Sequence, residues 1–280
     1  MSRNQDRLGG VQQHDTAPPP QTVNEGAFSF VVPTEFVELP SEGKYYPEGH
    51  PLCGKSSIEI KQMTAKEEDM LTSRTLLKKG VALDRVLASV ITDKSIDPDS
   101  LLVGDRNAVI VATRVSGYGN IYSTKVSCPA CGETQEYSFD LNDADVYDGI
   151  DGDIDVINNN DGTFNVILPR TGITATFRLL SGYDEKKISS GAELDKKQKV
   201  ERNVTRQLSC MLVAANGDTS AQAINYLVEN LPSVDSRHLR LAYRQTSPNV
   251  DLTQHFECSA CGHEQDMEVP LSADFFWPNL

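Results

Sequence analysis

Two Cys-x-x-Cys pairs constrain this chain more tightly than any other feature. In SCPACGE (residues 127–133), Cys128 and Cys131 hold the spacing with which two thiolates grip one metal ion. In ECSACGH (residues 257–263), Cys258 and Cys261 repeat that spacing 130 positions later. A structural zinc site takes four ligands. The first pair has no further Cys or His beside it. The second is flanked by His255 and His263 and could close a site of two cysteines and two histidines alone, which would strand the first pair. Joining the pairs is the economical solution: Cys128, Cys131, Cys258 and Cys261 around one structural Zn2+, with no open position for water. A redox reading requires a thioredoxin-like setting with the first Cys at a helix start, whereas both pairs here lie between predicted strands. Cys210, in the apolar stretch QLSCMLVAA, is expected to be a buried small hydrophobe. Cys53 is assigned no role.

The likeness between the two cysteine segments extends along the chain. Both read C-x-A-C-G, and Gln135 matches Gln265 at the same shift. Tyr137, Phe139 and Leu141 alternate after the first pair as Met267, Val269 and Leu271 do after the second, the period of a half-buried strand. Upstream, Asp105, Val109, Val111, Ala112 and Arg114 fall against Asp235, Leu239, Leu241, Ala242 and Arg244. Earlier still, VELPSEG (residues 37–43) matches VILPRTG (residues 166–172), a strand running into a proline and a tight glycine turn. A second strand follows each, SIEIKQM or ATFRLLS. Each copy then opens a helix behind a capping signal, Thr64 with Glu67 and Ser181 with Asp184. The next segments, EEDMLTSRTLLKKG and DEKKISSGAELDKKQ, then LDRVLASVI and VTRQLSCMLVAA, read as helices. The expected fold is therefore α+β: two pseudo-repeated units of a β-hairpin plus helices, over roughly residues 36–141 and 165–272, joined by a shared four-cysteine zinc ribbon or knuckle pair. The expected boundaries are a disordered N-terminal arm (1–30), a first repeat (31–145), an acidic linker (146–164) and a second repeat (165–280).

Charge narrows the function. A net charge of −14 and no clustered Lys and Arg disfavour a chain built to grip phosphates. A zinc-ribbon nucleic-acid-binding regulator would need a basic strip. The absence of a long apolar run and of an apolar N-terminal core predicts a soluble protein assembled in the cytosol. The Pro-rich, polar arm VQQHDTAPPPQTVNEG carries too little apolar surface to fold alone. Within the linker, Asp151, Asp153 and Asp155 mimic the start of a calcium loop, but Val156 stands where that loop needs Gly and no Glu closes it. A solvated acidic linker is the expectation. No nucleophile elbow, phosphate loop or H-E-x-x-H motif occurs, so no catalytic residue is assigned. Candidate partner-binding aromatics are Tyr45 and Tyr46, in a turn, and Phe275, Phe276 and Trp277 near the C-terminus. The C-terminal group has two readings, a plug closing the second copy's core or a docking peptide.

Four segments in order, VELPSEGKYYPEGHPL, MTAKEEDMLTSRTLLKKG, DPDSLLVGDRNAVIVATRVSGYG and CPACG, resemble the baseplate hub proteins of T4-like phages with contractile tails. The resemblance covers most of the first copy and the cysteine knuckles. It implies a structural subunit or assembly factor of the baseplate hub, built in the host cytoplasm and carried into the virion tail. It further implies other hub and tail proteins as partners; the acidic charge, the lack of a long apolar run and the missing catalytic motifs predict no nucleic acid, membrane or small-molecule substrate. It implies no catalytic residues.

Overall fold

The computed structural model describes residues 31–147, 149, 152–270 and 275–276. The expected arm (1–30), Asp151 and Trp277 lie outside the described residues. The chain from Pro33 onward forms one unit of mixed helix and sheet.

The first half opens with an antiparallel hairpin, β1 (Thr34–Glu38) and β2 (Ser57–Lys61), which sets Val37 opposite Ile58 on the buried face. The helices α1 (Ala65–Thr72), α2 (Arg74–Lys78), α3 (Ala82–Val90) and α4 (Val103–Tyr118) follow. EEDMLTSRTLLKKG, expected as one helix, breaks at Ser73, whose extended backbone ends α1 and starts α2. Gly119, at φ 81°, ends α4. The half closes with the hairpin β3 (Ile121–Ser127) and β4 (Thr134–Asp140). Strict alternation along β3 buries Tyr122, Thr124 and Val126.

The expected linker contains strands. β5 (Asp145–Tyr147) pairs across the molecule with β10 (Asn249–Asp251), and β6 (Val156–Asn158) edges a four-stranded sheet in the order β6–β7–β8–β9. In that sheet β7 spans Thr163–Ile167, β8 spans Thr174–Arg178 and β9 spans Leu212–Ala215. VTRQLSCMLVAA thus leaves helix at Leu212, because its last four residues complete the sheet beside β8. Around this sheet stand α5 (Gly182–Gln198), α6 (Asn203–Met211), α7 (Ala221–Asn230) and α8 (Ser233–Thr246). The hairpin β11 (Thr253–Glu257) and β12 (Glu264–Glu268) carries the second cysteine pair.

Three local structures recur in the two halves. After each Leu-Pro step the turn donates backbone N–H groups to a fully buried Asp in the first turn of the long helix. Ser41 N–H donates to Asp105 at 2.9 Å, and Arg170 N–H donates to Asp235 at 2.7 Å. The glycines ending these turns, Gly43 and Gly172, have φ of 72° and 69°, a region that favours glycine. The capping boxes also match. Backbone N–H and hydroxyl of Thr64 both donate to Glu67, and those of Ser181 both donate to Asp184. A base three residues before each cap, Lys61 or Arg178, pairs with the same carboxylate at 2.8 Å. The third is the cysteine turn, described below.

The halves exchange segments. One core gathers first-half residues such as Ile60, Leu87, Leu101 and Tyr122 together with Phe256, Cys258, Val269, Phe275 and Phe276. The other, around Phe164, Phe177, Leu208 and Leu239, takes in Tyr45 from the first half. Phe275 and Phe276 therefore plug a core, but it is the first half's core and not the second's. Arg114 explains the seat. Its fully buried guanidinium donates Nε to the Phe275 carbonyl at 2.5 Å and Nη1 to the Gly119 carbonyl at 2.7 Å, and Phe275 packs edge-on to Tyr122. A buried cation with several carbonyl acceptors avoids an uncompensated desolvation cost. A polar link also joins the halves. Arg106 on α4 bridges Asp84 on α3 and Glu185 on α5, while Lys186 reaches Asp84 and Asp99.

Candidate metal centre

Each cysteine pair sits in a tight turn between two strands, and the two turns are built alike. Cys128 N–H donates to the Glu133 carbonyl, and Gly132 N–H to the Cys128 carbonyl. Cys258 N–H donates to the His263 carbonyl, and Gly262 N–H to the Cys258 carbonyl. Gly132 and Gly262, at φ 75° and 65°, turn the chain after the second cysteine, so that both sulfurs face the same side. The first Cys of each pair is buried and the second exposed.

Side chains of the first hairpin hold the second in place. The Gln135 amide donates to the Glu257 carbonyl at 3.0 Å and accepts from Ser259 N–H at 2.9 Å, bridging directly to the second turn. Tyr137 donates its hydroxyl to the His255 carbonyl and packs its ring 5.1 Å from Phe256. Gln254 closes the far end through paired hydrogen bonds with the Asp140 backbone.

This docking brings all four sulfurs within 4.8 Å of one another. The Cys128–Cys261 and Cys131–Cys258 separations are each 3.8 Å. Zinc–thiolate bonds of about 2.3 Å in a tetrahedron place sulfurs roughly 3.8 Å apart. The same separation is far beyond a disulfide bond of about 2.05 Å. The donor set thus fits a tetrahedral, thiophilic divalent ion. His255 and His263 are not part of this cluster. The sequence-predicted ligands Cys128, Cys131, Cys258 and Cys261 are brought together across 130 residues of chain.

Electrostatics show why a cation suits the cage. Backbone N–H groups, first that of Cys131 and then that of Ala130, pull the Cys128 thiol down to about 6. Beside that thiol, Cys131 and Cys261 resist ionisation. The Glu133 N–H and the Cys261 thiol favour a Cys131 thiolate, but burial and the Cys128 and Cys258 sulfurs outweigh them and hold the thiol above its usual range. The His263 N–H acts likewise on Cys261, and neighbouring sulfurs, Cys131 foremost, push it to about 12. Like charges at this spacing repel; a divalent cation held by Cys128, Cys131, Cys258 and Cys261 would offset that repulsion and favour the thiolate forms.

The aromatic candidates sit elsewhere than expected. Tyr45 and Tyr46 are buried, at 8% and 6% exposure, and are not free surface anchors. Tyr46 is held inside because its hydroxyl donates to Asp105 at 2.7 Å and accepts from Leu102 N–H at 3.0 Å, with its ring stacked on His50. Phe275 and Phe276 are buried in the first core. The sequence reading pairs Asp105 with Asp235 but misses what they do. The available signal is an acid in the first turn of an otherwise apolar helix, at the same shift as the cysteines.

The described residues define a mixed α/β protein whose two cysteine hairpins converge on one four-thiol cage. The family model for the T4 bacteriophage base plate protein matches residues 32–277, and the chain belongs to that family. No curated protein and no solved structure matches it. Family membership makes it a structural protein of the phage baseplate and places it in the virion tail, among other tail proteins. No helix of the described residues is long and apolar enough to cross a membrane.

Proposed function

We propose that this protein is a non-enzymatic subunit or assembly factor of the central hub of a contractile-tail baseplate. It acts by binding other hub proteins, and it is clamped by one structural Zn2+ on Cys128, Cys131, Cys258 and Cys261. The observation that carries the reading is the cage of four sulfurs within 4.8 Å of one another, two of its edges 3.8 Å, drawn from hairpins 130 residues apart in a baseplate-family chain. Four thiolates fill a tetrahedral shell, so the ion cross-links and does not activate water. A cross-link of this kind contributes about 10–16 kcal/mol of apparent binding free energy, comparable with a whole domain's stability.

The chain is also an internal duplication in this reading. The matched Leu-Pro turns on buried Asp105 and Asp235, the matched capping boxes and the matched cysteine turns support it. The zinc then lies between the copies, and the exchanged segments lock them as a rigid block.

Elemental analysis of the purified full-length chain tests the clamp. About one equivalent of zinc is expected, and Cys→Ser at any of the four positions should release it. Two equivalents, or none with all thiols intact, would refute the shared site. Mass spectrometry of purified particles and of assembly intermediates tests the placement: absence of the chain from every hub-containing species would refute it.

A further inference from the structure

We propose that the solvent face of α8 is a docking surface for an acidic, amphipathic segment of another tail protein. Val234 and Leu241 are 61% and 45% exposed on this helix, one above the other at a spacing of seven residues. Arg237, Arg240 and Arg244 are exposed beside them and complete one continuous face. The helix's one acid, Asp235, is on the opposite side, fully buried against the Arg170–Thr171 turn. The α8 face therefore carries three positive charges and no negative one. None of the three arginines forms an ion pair among the described residues; Arg244 acts on Asp251 only through space. In a chain of net charge −14 this concentration of guanidinium groups opposes the overall field.

The face continues into a groove of about 310 Å³ between α6, α7 and α8. Its lining is mixed: Leu208, Val228, Leu231 and Val204 (42% exposed) are apolar, Thr205, Ser233 and Ser236 are polar, and Arg240 and Glu229 are charged. Val234, Leu241 and the groove's apolar residues beside an arginine face are complementary to apolar side chains flanked by carboxylates. Arginine suits the role because its planar fork binds carboxylates with two parallel hydrogen bonds.

The corresponding helix in the first half behaves differently, an argument that rests on the proposed duplication. At the 130-residue shift, Ile110 and Val111 on α4 are buried, and Gly104 lies so close to Pro248 that a Cβ there would sit 1.9 Å from its carbonyl oxygen. The α4 face is covered within the chain, whereas no described residue covers Val234 and Leu241 on the α8 face. A two-fold contact between copies through α8 would set arginines against arginines. Nucleic acid would satisfy the arginines but leave Val234 and Leu241 without apolar partners.

The test places the photoreactive residue p-benzoylphenylalanine at position 241 of the full-length chain, and at exposed Ile157 on β6 for comparison, in phage-infected cells. The expected adduct at 241 is with another tail protein, through a peptide with Asp or Glu flanking apolar residues. The yield should fall about ten-fold in the Arg237→Glu, Arg240→Glu, Arg244→Glu variant, and also, less steeply, when the three are changed to Gln. Zinc content and thermal midpoint report that the variants fold. An adduct with a second copy or with nucleic acid overturns the proposal, as does a tail-protein adduct indifferent to charge reversal. Absence of any adduct at 241, with the chain still present in tails, overturns this surface and leaves the hub assignment standing.

Discussion

Replacing Asp105 tests the buried carboxylate that ties the first Leu-Pro turn to α4. Its two oxygens accept Ser41 N–H at 2.9 Å, Ser41 Oγ at 2.5 Å and Tyr46 Oη at 2.7 Å. In Asp105→Ala the Ser41 N–H loses its partner in a buried setting, at a cost of about 1–3 kcal/mol. The two hydroxyls rotate to poorer acceptors, adding roughly 0.5–1.5 kcal/mol each. Relief of a buried charge offsets part of this. The net expectation is a loss of about 3 kcal/mol, a large share of a domain stability of about 5–15 kcal/mol. Asp105→Asn keeps an acceptor for Ser41 N–H and should cost about 1 kcal/mol. Asp235→Ala strands two N–H groups, those of Arg170 and Thr171, and should cost about 2–4 kcal/mol. The pH dependence adds a second readout. Burial, opposed by the Ser41 and Tyr46 donors, holds the Asp105 carboxyl above the usual range. A carboxyl raised in the folded state contributes stability at low pH that is lost as pH rises through its folded value. The gap between wild type and Asp105→Asn should therefore narrow with rising pH. Urea denaturation of the purified full-length chain, followed by far-UV circular dichroism, measures both effects. A change below about 0.5 kcal/mol in Asp105→Ala at unchanged slope would refute the reasoning, since that is the range of surface substitutions.

Two further substitutions probe the packing and the caps. Gly104→Ala should destabilise severely, because its Cβ would meet the Pro248 carbonyl oxygen at 1.9 Å and force α4 away from β10; a thermal midpoint equal to wild type would contradict that packing. Glu67 is fully buried; burial alone would raise its carboxyl, but donors from Lys61, Ser89 and Thr64 outweigh it and bring the value from 4.5 to about 2. A depressed carboxyl contributes stability above its unfolded value that is lost as pH falls, here between about 4.5 and 2, by about 3 kcal/mol. Glu67→Gln should flatten that part of the acid-denaturation curve, and an unchanged slope there would count against the network.

Much of the four-cysteine cluster was legible in the chain itself. Cys-x-x-Cys with a following glycine is local chemistry: the spacing, the positive-φ turn and the alternating strands are set by near neighbours. The repeated order of Leu-Pro turn, capping box and cysteine turn was readable for the same reason. What the sequence left open depends on long-range pairing. Whether an aromatic in a turn faces water or a core was decided by a partner 59 residues away, Asp105, which draws the Tyr46 hydroxyl inside. The C-terminal aromatics close the first half because Arg114 offers a buried guanidinium to the Phe275 carbonyl, a match between positions 161 apart. The acidic linker became strand because β5 found β10 across the molecule. The arginine face of α8 was invisible as well, since the same helical spacing on α4 is buried. Periodicity shows which residues share a face; what covers that face is decided only when distant segments meet.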